Sequence, residues 1–217
     1  MKKEFPDKRI IIMFTGGPGT GKSGTAERFL KYLDNPDIVI VSYDKIKEKN
    51  WDRFGFDSVE QKDRLNAWSL EEMYLVIQNL MYKDSTILTE YPFYQRHKGE
   101  LKKLIDEYQY SAATVYLYTD KKTVYERAMR RDALSGRHPG HLLNVYHKET
   151  FRPEMLTSKD SIKPTFDEFF DAIRTKEYNI NLGTDIPLDV TDFSKINYCA
   201  LFEKIAAGQL TQLPDAK

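Results

Sequence analysis

Eight consecutive residues, Gly16-Gly17-Pro18-Gly19-Thr20-Gly21-Lys22-Ser23, satisfy the pattern G-x-x-x-x-G-K-[ST]. Glycines let several backbone N–H groups converge on a phosphate with no Cβ in the way, and a helix starting near the lysine adds the partial positive charge of its N-terminus. Lys22 can neutralise the β- and γ-phosphate oxygens of a nucleoside triphosphate, and the Ser23 hydroxyl can ligate Mg²⁺. The candidate cofactors are therefore ATP and Mg²⁺. The candidate nucleotide-binding residues are Gly16, Gly17, Pro18, Gly19, Thr20, Gly21, Lys22, Ser23 and the adjoining Gly24.

A second concentration of chemistry is cationic. Arg127, Arg130 and Arg131 fall at i, i+3 and i+4, so one helix face presents three guanidinium groups. Glu126 and Asp132 could make this an ordinary solvated face. The segment that follows, Ser135-Gly136-Arg137-His138-Pro139-Gly140-His141, adds a fourth arginine on a Gly- and Pro-containing stretch suited to a hinged flap. His138 and His141 have no third partner at a metal-binding spacing and read as lid residues.

Two single acids end apolar runs. Asp44 follows DIVIVSY and Glu90 follows STILT. A carboxylate that receives the proton of an attacking hydroxyl is what phosphoryl transfer to an alcohol needs, and Lys45 and Lys47 would favour its ionised form. An Asp at this place is equally suited to start the next helix.

These residues must be positioned by a scaffold, and the hydrophobic pattern describes one. IIIMF at 10–14 reads as a strand buried on both faces, and Ala26, Phe29, Leu30 and Leu33 mark the helix after the glycine-rich loop. Residues 37–44, 85–93 and 113–120 give three more strands, with helical spacing at Leu70 to Leu80, at Leu101 to Tyr108, and over 121–134. LLNVYHKETF reads as a further helical stretch, YNINLGT with IPLDVTDF as a hairpin around Gly183 or irregular chain, and Gly208 as the stop of the closing helix. The alternation predicts one α/β domain spanning 1–217, a three-layer sandwich with helices on both faces of a mostly parallel sheet. Ligands of such sheets bind outside the carboxyl ends of the strands, where the loop, Asp44 and Glu90 all fall.

Other nucleotide-handling classes fit poorly. No N-K-x-D follows a strand, which removes a GTPase, and the strand ending in Glu90-Tyr91-Pro92 lacks the Asp-Glu pair of an ATP-driven motor. A small kinase remains, with a phosphate loop, an acceptor site and an arginine-rich lid. The phosphate loop, the SYD strand end, the acid-terminated third strand and ERAMRRDALSGRHPGH together resemble the P-loop kinase superfamily, specifically its zeta-toxin-like and polynucleotide-kinase-like branch. The resemblance spans roughly residues 8–150. It implies a five-stranded parallel sheet in the order 2-3-1-4-5, a lid over about 127–150 and an acceptor-side insert over about 45–70. It implies Asp44 as base, Arg127 and Arg131 as lid arginines with one near adenine, and Glu90, an Asp in many relatives, meeting Mg²⁺ through water. The expected catalytic set is Lys22, Asp44, Arg127, Arg131 and Arg137.

The acceptor stays open between a nucleotide sugar, a nucleic-acid hydroxyl and a free metabolite, and a regulatory ATP-binding module is the alternative to an enzyme. Trp51, Phe54, Phe56 and Trp68, among Arg53, Lys62 and Arg64, either line the acceptor pocket or form a small hydrophobic cluster. Tyr94, Arg96 and Lys98 are further candidates. The 33 basic and 33 acidic residues cancel, so nothing in the whole-chain charge attracts a nucleic acid or an anionic membrane. The sum conceals a local patch: 121–138 holds six basic residues against two acidic, and 154–193 four against nine. Such a patch is sized for one triphosphate, which favours a small-molecule acceptor over nucleic acid. The single cysteine, Cys199, and the lack of any run of about 20 apolar residues lead to the expectation of a cytoplasmic protein with no membrane association.

Overall fold

Strand β1 (Ile10–Thr15) is wholly buried because it is the middle of the sheet and both of its faces are covered. Its side chains alternate: Ile10, Ile12 and Phe14 enter one core, and Ile11 and Met13 enter the other. The first core packs helices α1 (Lys22–Leu33) and α7 (Tyr198–Gln212) on the sheet, through Phe29, Leu33, Leu201 and Ile205. The second packs α3 (Val59–Tyr82) and α4 (Lys98–Glu107), through Met73, Ile77, Met81 and Leu101. Each such fully buried side chain contributes roughly 1.5–3 kcal/mol. A computed structural model describes residues 2–134, 136–157 and 161–212 of the chain.

Strands β2 (Val39–Ser42), β3 (Ile87–Glu90), β4 (Ser111–Tyr118) and β5 (Thr184–Asp189) complete a five-stranded sheet in the order β2-β3-β1-β4-β5. Every pairing is parallel. The sheet order and the α/β class agree with expectation. The register sets Glu90 opposite both Phe14 of β1 and Ser42 of β2, so the carboxyl ends of three strands meet beside the glycine-rich loop. Helices α2 (Tyr43–Phe54), α5 (Lys121–Ala133) and α6 (Phe166–Ile173) surround that end. Among the described residues, no helix is long and apolar enough to cross a membrane.

Four local expectations need correction. The second strand stops at Ser42, so Asp44 lies in the first turn of α2, where a carboxylate also suits the helix dipole. The stretch 142–151 is not helical, since Tyr146 exchanges backbone hydrogen bonds with Phe56, N–H to carbonyl at 2.8 Å in both directions. No hairpin forms at Gly183; β5 is a single parallel partner of β4, and Ile180 and Leu182 ahead of it are buried in the second core. Gly208 does not end α7, which continues to Gln212. A Cβ at Gly208 would lie 1.9 Å from Thr184 Oγ1, so this glycine permits close contact between helix and β5. The extra turn lets the Gln212 carboxamide bond Ala112 through both N–H and carbonyl.

Candidate active site

The loop of residues 16–21 connects β1 to α1 and reverses at Gly21, whose φ of 84° is costly for any residue with a Cβ. No side chain caps α1 and its first turn holds no acid, which leaves the positive end of the helix to an external anion. A cavity of about 620 Å³ opens there, lined by Pro18, Gly19, Gly21, Lys22, Ser23 and Gly24.

Lys22 is buried, with Nζ donating to the carbonyls of Gly16 and Gly17 at 2.9 Å each. Burial pushes its ammonium down to about 8, against the pull of the Glu90 and Asp44 carboxylates. Thr20 Oγ1 donates to the Gly17 carbonyl at 2.9 Å and tightens the loop from within. Glu90 accepts from Ser23 Oγ at 3.0 Å and from Ser42 Oγ at 2.7 Å. Burial raises the Glu90 carboxyl despite those two hydroxyls. Hydroxyl and carboxylate oxygens form the donor set, with one carboxylate. That suits Mg²⁺, which keeps several of its waters and takes few protein ligands.

Asp44 faces the same cavity from α2. It pairs with Lys47 at 2.9 Å and with Arg137 at 3.7 Å. Burial would raise this carboxyl, yet Lys47, His141 and Arg137 outweigh it and hold it well below the usual carboxylate range. The two acids therefore part company, Asp44 firmly ionised and Glu90 less so.

The arginines of α5 divide as well. Arg127 donates to the carbonyls of Val190 at 2.7 Å and Thr191 at 2.9 Å, and its guanidinium lies 4.2 Å from the Phe193 ring centre. Phe193 also closes over the loop, so that a Cβ at Gly21 would meet its ring at 2.4 Å. Arg127 and Phe193 thus form one rim of the cavity. Arg131, bonded to Asp132 at 2.8 Å, and Arg137, 3.5 Å from the same carboxylate, line it from the lid. Arg130, part of the arginine face read from the sequence, lines it too, as do Lys47 and His141, expected there only as a neighbour of Asp44 and as a lid residue. Lys47 was detectable as the i+3 partner of Asp44 on a helix; Phe193 carried no sequence signal.

The segment expected to act as a lid is docked on α2. His138 meets Asp52 at 3.0 Å and His141 meets Glu48 at 2.8 Å, while Tyr146 and Lys148 donate to Asp52 at 2.6 and 2.7 Å. Ser135, part of the expected flap, lies outside the described residues. Among the described residues, no group of three His, Cys, Asp or Glu side chains could hold a metal ion.

A second cavity, of about 700 Å³, shares Pro18, Lys47, Tyr91 and Pro92 with the first. Its other walls come from Tyr43, Asp63, Asn66, Ala67 and Leu70, from Tyr94 and Arg96, and from Ala172, Ile173, Lys176 and Tyr178. The acceptor-side aromatics read from the sequence lie elsewhere. Trp51 and Phe56 are buried with Leu143 and Tyr146 in a small core of their own. Phe54 and Trp68 sit outside, their rings 5.1 Å apart and nearly half exposed. Lys62 is spent on the Leu143 carbonyl at 3.0 Å. Neither Arg53, Arg64 nor Lys98 lines the cavity.

Solved structures show the same architecture. A presumed kinase of Chloroflexus aurantiacus superposes with a TM-score of 0.67 at 19% identity, covering 95% of this chain and 100% of that one. The fold is that of the P-loop kinases. A gluconokinase of Sinorhizobium meliloti matches with a TM-score of 0.51 at 13% identity over 94% of each chain. Kti12 of Chaetomium thermophilum, solved with ADP-AlF3, matches with a TM-score of 0.53 at 13% identity, over 92% of this chain and 98% of that one. No protein-family model and no curated protein matches the sequence. In this P-loop kinase fold, the first cavity occupies the place where the glycine-rich loop meets the strand ends, and the second lies beside it over α3.

Proposed function

We propose that the protein is an ATP-dependent phosphotransferase that moves the γ-phosphoryl group of ATP to a hydroxyl of a small molecule. The observation that carries this reading is the junction of two cavities at Pro18, Lys47, Tyr91 and Pro92, with the ionised Asp44 on the nucleotide side of it. A regulatory nucleotide-binding module needs only the first cavity. The kinase relatives in fold support the same reading.

The loop and α1 hold the triphosphate, with Arg127 and Phe193 at the base end and Lys22, Arg130, Arg131 and Arg137 around the transferring group. Mg²⁺, when bound with the nucleotide, is held by Ser23 with Glu90 beside it and supplies neutralisation of the phosphate charge. The acceptor oxygen forms a bond to the γ-phosphorus as the bond from that phosphorus to the β–γ bridging oxygen breaks. ADP leaves, and the hydroxyl proton passes to Asp44 and on to solvent. A carboxylate held this far into its ionised form is a weak base, so Asp44 acts first by orienting the hydroxyl and takes the proton late. A loose transition state tolerates that order. ATP as co-substrate, and a lone exposed Cys199, favour a cytoplasmic setting.

The test is transfer of label from γ-labelled ATP, with Mg²⁺, to a panel of sugars, nucleosides, nucleotide sugars and 5′-hydroxyl oligonucleotides. The expected result is labelled small-molecule product. A protein that ATP stabilises against heating, but whose turnover no acceptor accelerates, would be a regulatory module instead. Nucleotide-sugar transfer of the zeta type and nucleic-acid phosphorylation are separate arms of the same panel.

A further inference from the structure

The second cavity carries charge that ATP does not need. Arg96 and Lys176 line it but not the first cavity, and they come from segments 80 residues apart in the chain. Both converge on one ring: the Arg96 guanidinium lies 4.7 Å and Lys176 Nζ 5.7 Å from the centre of Tyr94. Among the described residues neither has a carboxylate partner, in contrast to Lys47, which is paired with Asp44. Among the described residues, the one acid on the cavity wall is Asp63. Two like charges gathered around one ring repel, and the ring quadrupole offsets only about 0.5–1 kcal/mol for each at an exposed site.

Buried His97 lies beside these two charges. Burial first, then Arg96 and Lys176, push its imidazole down to about 4. The remaining walls include the rings of Tyr43, Tyr91 and Tyr178, flat surfaces with hydroxyl edges, apolar Leu70 and Ile173, and Asn66, whose side-chain oxygen is buried without a partner among the described residues. An open cleft of about 700 Å³ accommodates a small ligand.

We propose that the second cavity binds a small hydroxylated anion, whose phosphate or carboxylate group is held by Arg96 and Lys176 beside Tyr94 while its hydroxyl faces Asp44. This rests on the phosphotransferase reading and narrows its acceptor to an anionic class. The guanidinium fork suits a phosphate or carboxylate in two-point contact, and the ammonium adds a point charge.

The experiment measures binding to protein loaded with Mg²⁺ and a non-hydrolysable ATP analogue, so that the phosphate loop is filled. Calorimetry compares matched probes: glucose, gluconate and glucose 6-phosphate; adenosine and adenosine 5′-monophosphate; and a 5′-hydroxyl oligonucleotide. The expected result is that at least one charged small probe binds ten-fold or more tightly than its neutral partner. Arg96→Gln and Lys176→Gln each remove about ten-fold of that preference, and Arg96→Lys restores part of it. Equal binding of neutral and charged partners, unchanged preference in both variants, no binding of any charged small probe, or tighter binding of the oligonucleotide than of all of them would overturn the proposal. Charged probes that bind as expected but never accelerate ATP consumption would leave the anion site standing and remove the transfer reaction.

Discussion

The two cavities are built on opposite principles. The first is dense in charge and poor in freedom: Lys22 is tied to two loop carbonyls, Arg127 to two more, and Asp44 to Lys47 and Arg137. The second has four tyrosines in its wall, and the two cations it does not share with the first, Arg96 and Lys176, have no carboxylate partners among the described residues. A site for a ligand of fixed shape and high charge benefits from groups locked in place before binding, because fixed dipoles and charges need not reorganise at the transition state. A site that must select one hydroxyl compound among many works by surface and by a few unpaired polar groups. Substitutions should therefore separate cleanly, with losses of kcat at the first cavity and changes of KM at the second.

The largest effect is expected at Lys22. Lys22→Ala removes the cation at the heart of the phosphate loop and should lower label transfer by about 10³-fold or more, with the thermal midpoint little changed. Asp44→Asn keeps the shape and removes the charge. It should lower kcat by about 10²–10³-fold while leaving the affinity for an ATP analogue within a few-fold. Wild-type turnover by Asp44→Asn with a true acceptor would remove the carboxylate from the mechanism. It would also blur the division between the cavities.

Effects fall at the second cavity. Tyr94→Ala strips the ring that Arg96 and Lys176 share and should raise the acceptor KM about ten-fold with kcat within two- to three-fold. Trp68→Ala, paired with Phe54 outside both cavities, should change neither constant by more than about two-fold. A large effect of Trp68→Ala on KM would return the acceptor to the outer face of α3 and break the comparison.

The same contrast explains what was legible in the sequence. The phosphate-binding part of the first cavity is made from local strings, the glycine-rich loop and one turn of α5, to which Asp44, Glu90, Arg137 and Phe193 are added from elsewhere in the chain. Local spacing fixes local geometry, and so the phosphate loop could be read directly. The second cavity joins Pro18 to four further stretches, around 43–47, 63–70, 91–96 and 172–178, and only the tertiary fold brings them together. Aromatic content pointed to Trp51 and Phe56, which the chain uses to pack its lid-side core. Tyr178 and Lys176 follow an eight-residue helix and had no pattern to mark them. The false helix at 142–151 has a related cause. Leu143 and Tyr146 are spaced for a helix, but the pairing of Tyr146 with Phe56 is a tertiary contact that periodicity does not contain.

The charge at the second cavity also has a measure that is independent of turnover. His97 is buried against the rings of Tyr91, Phe93 and Tyr94, and its Nδ1 accepts from the Tyr94 N–H at 3.1 Å. Burial, with Arg96 and Lys176 acting in the same direction, lowers its pKa from 6.5 to about 4. A lowered histidine pKa means that the unfolded chain binds the proton first, so stability is lost as pH falls from 6.5 towards 4. The loss at this one site is on the order of 3 kcal/mol, and urea unfolding at a series of pH values should show His97→Gln with a shallower slope across that window. The charges can then be separated from burial. Lys176→Gln and Arg96→Gln leave the rings in place, so each should raise the His97 pKa by a few tenths of a unit to one unit in an NMR titration. If the imidazole does not respond to either substitution, burial alone keeps it neutral. The second cavity would then lack the positive field that distinguishes it from an ordinary tyrosine-lined cleft.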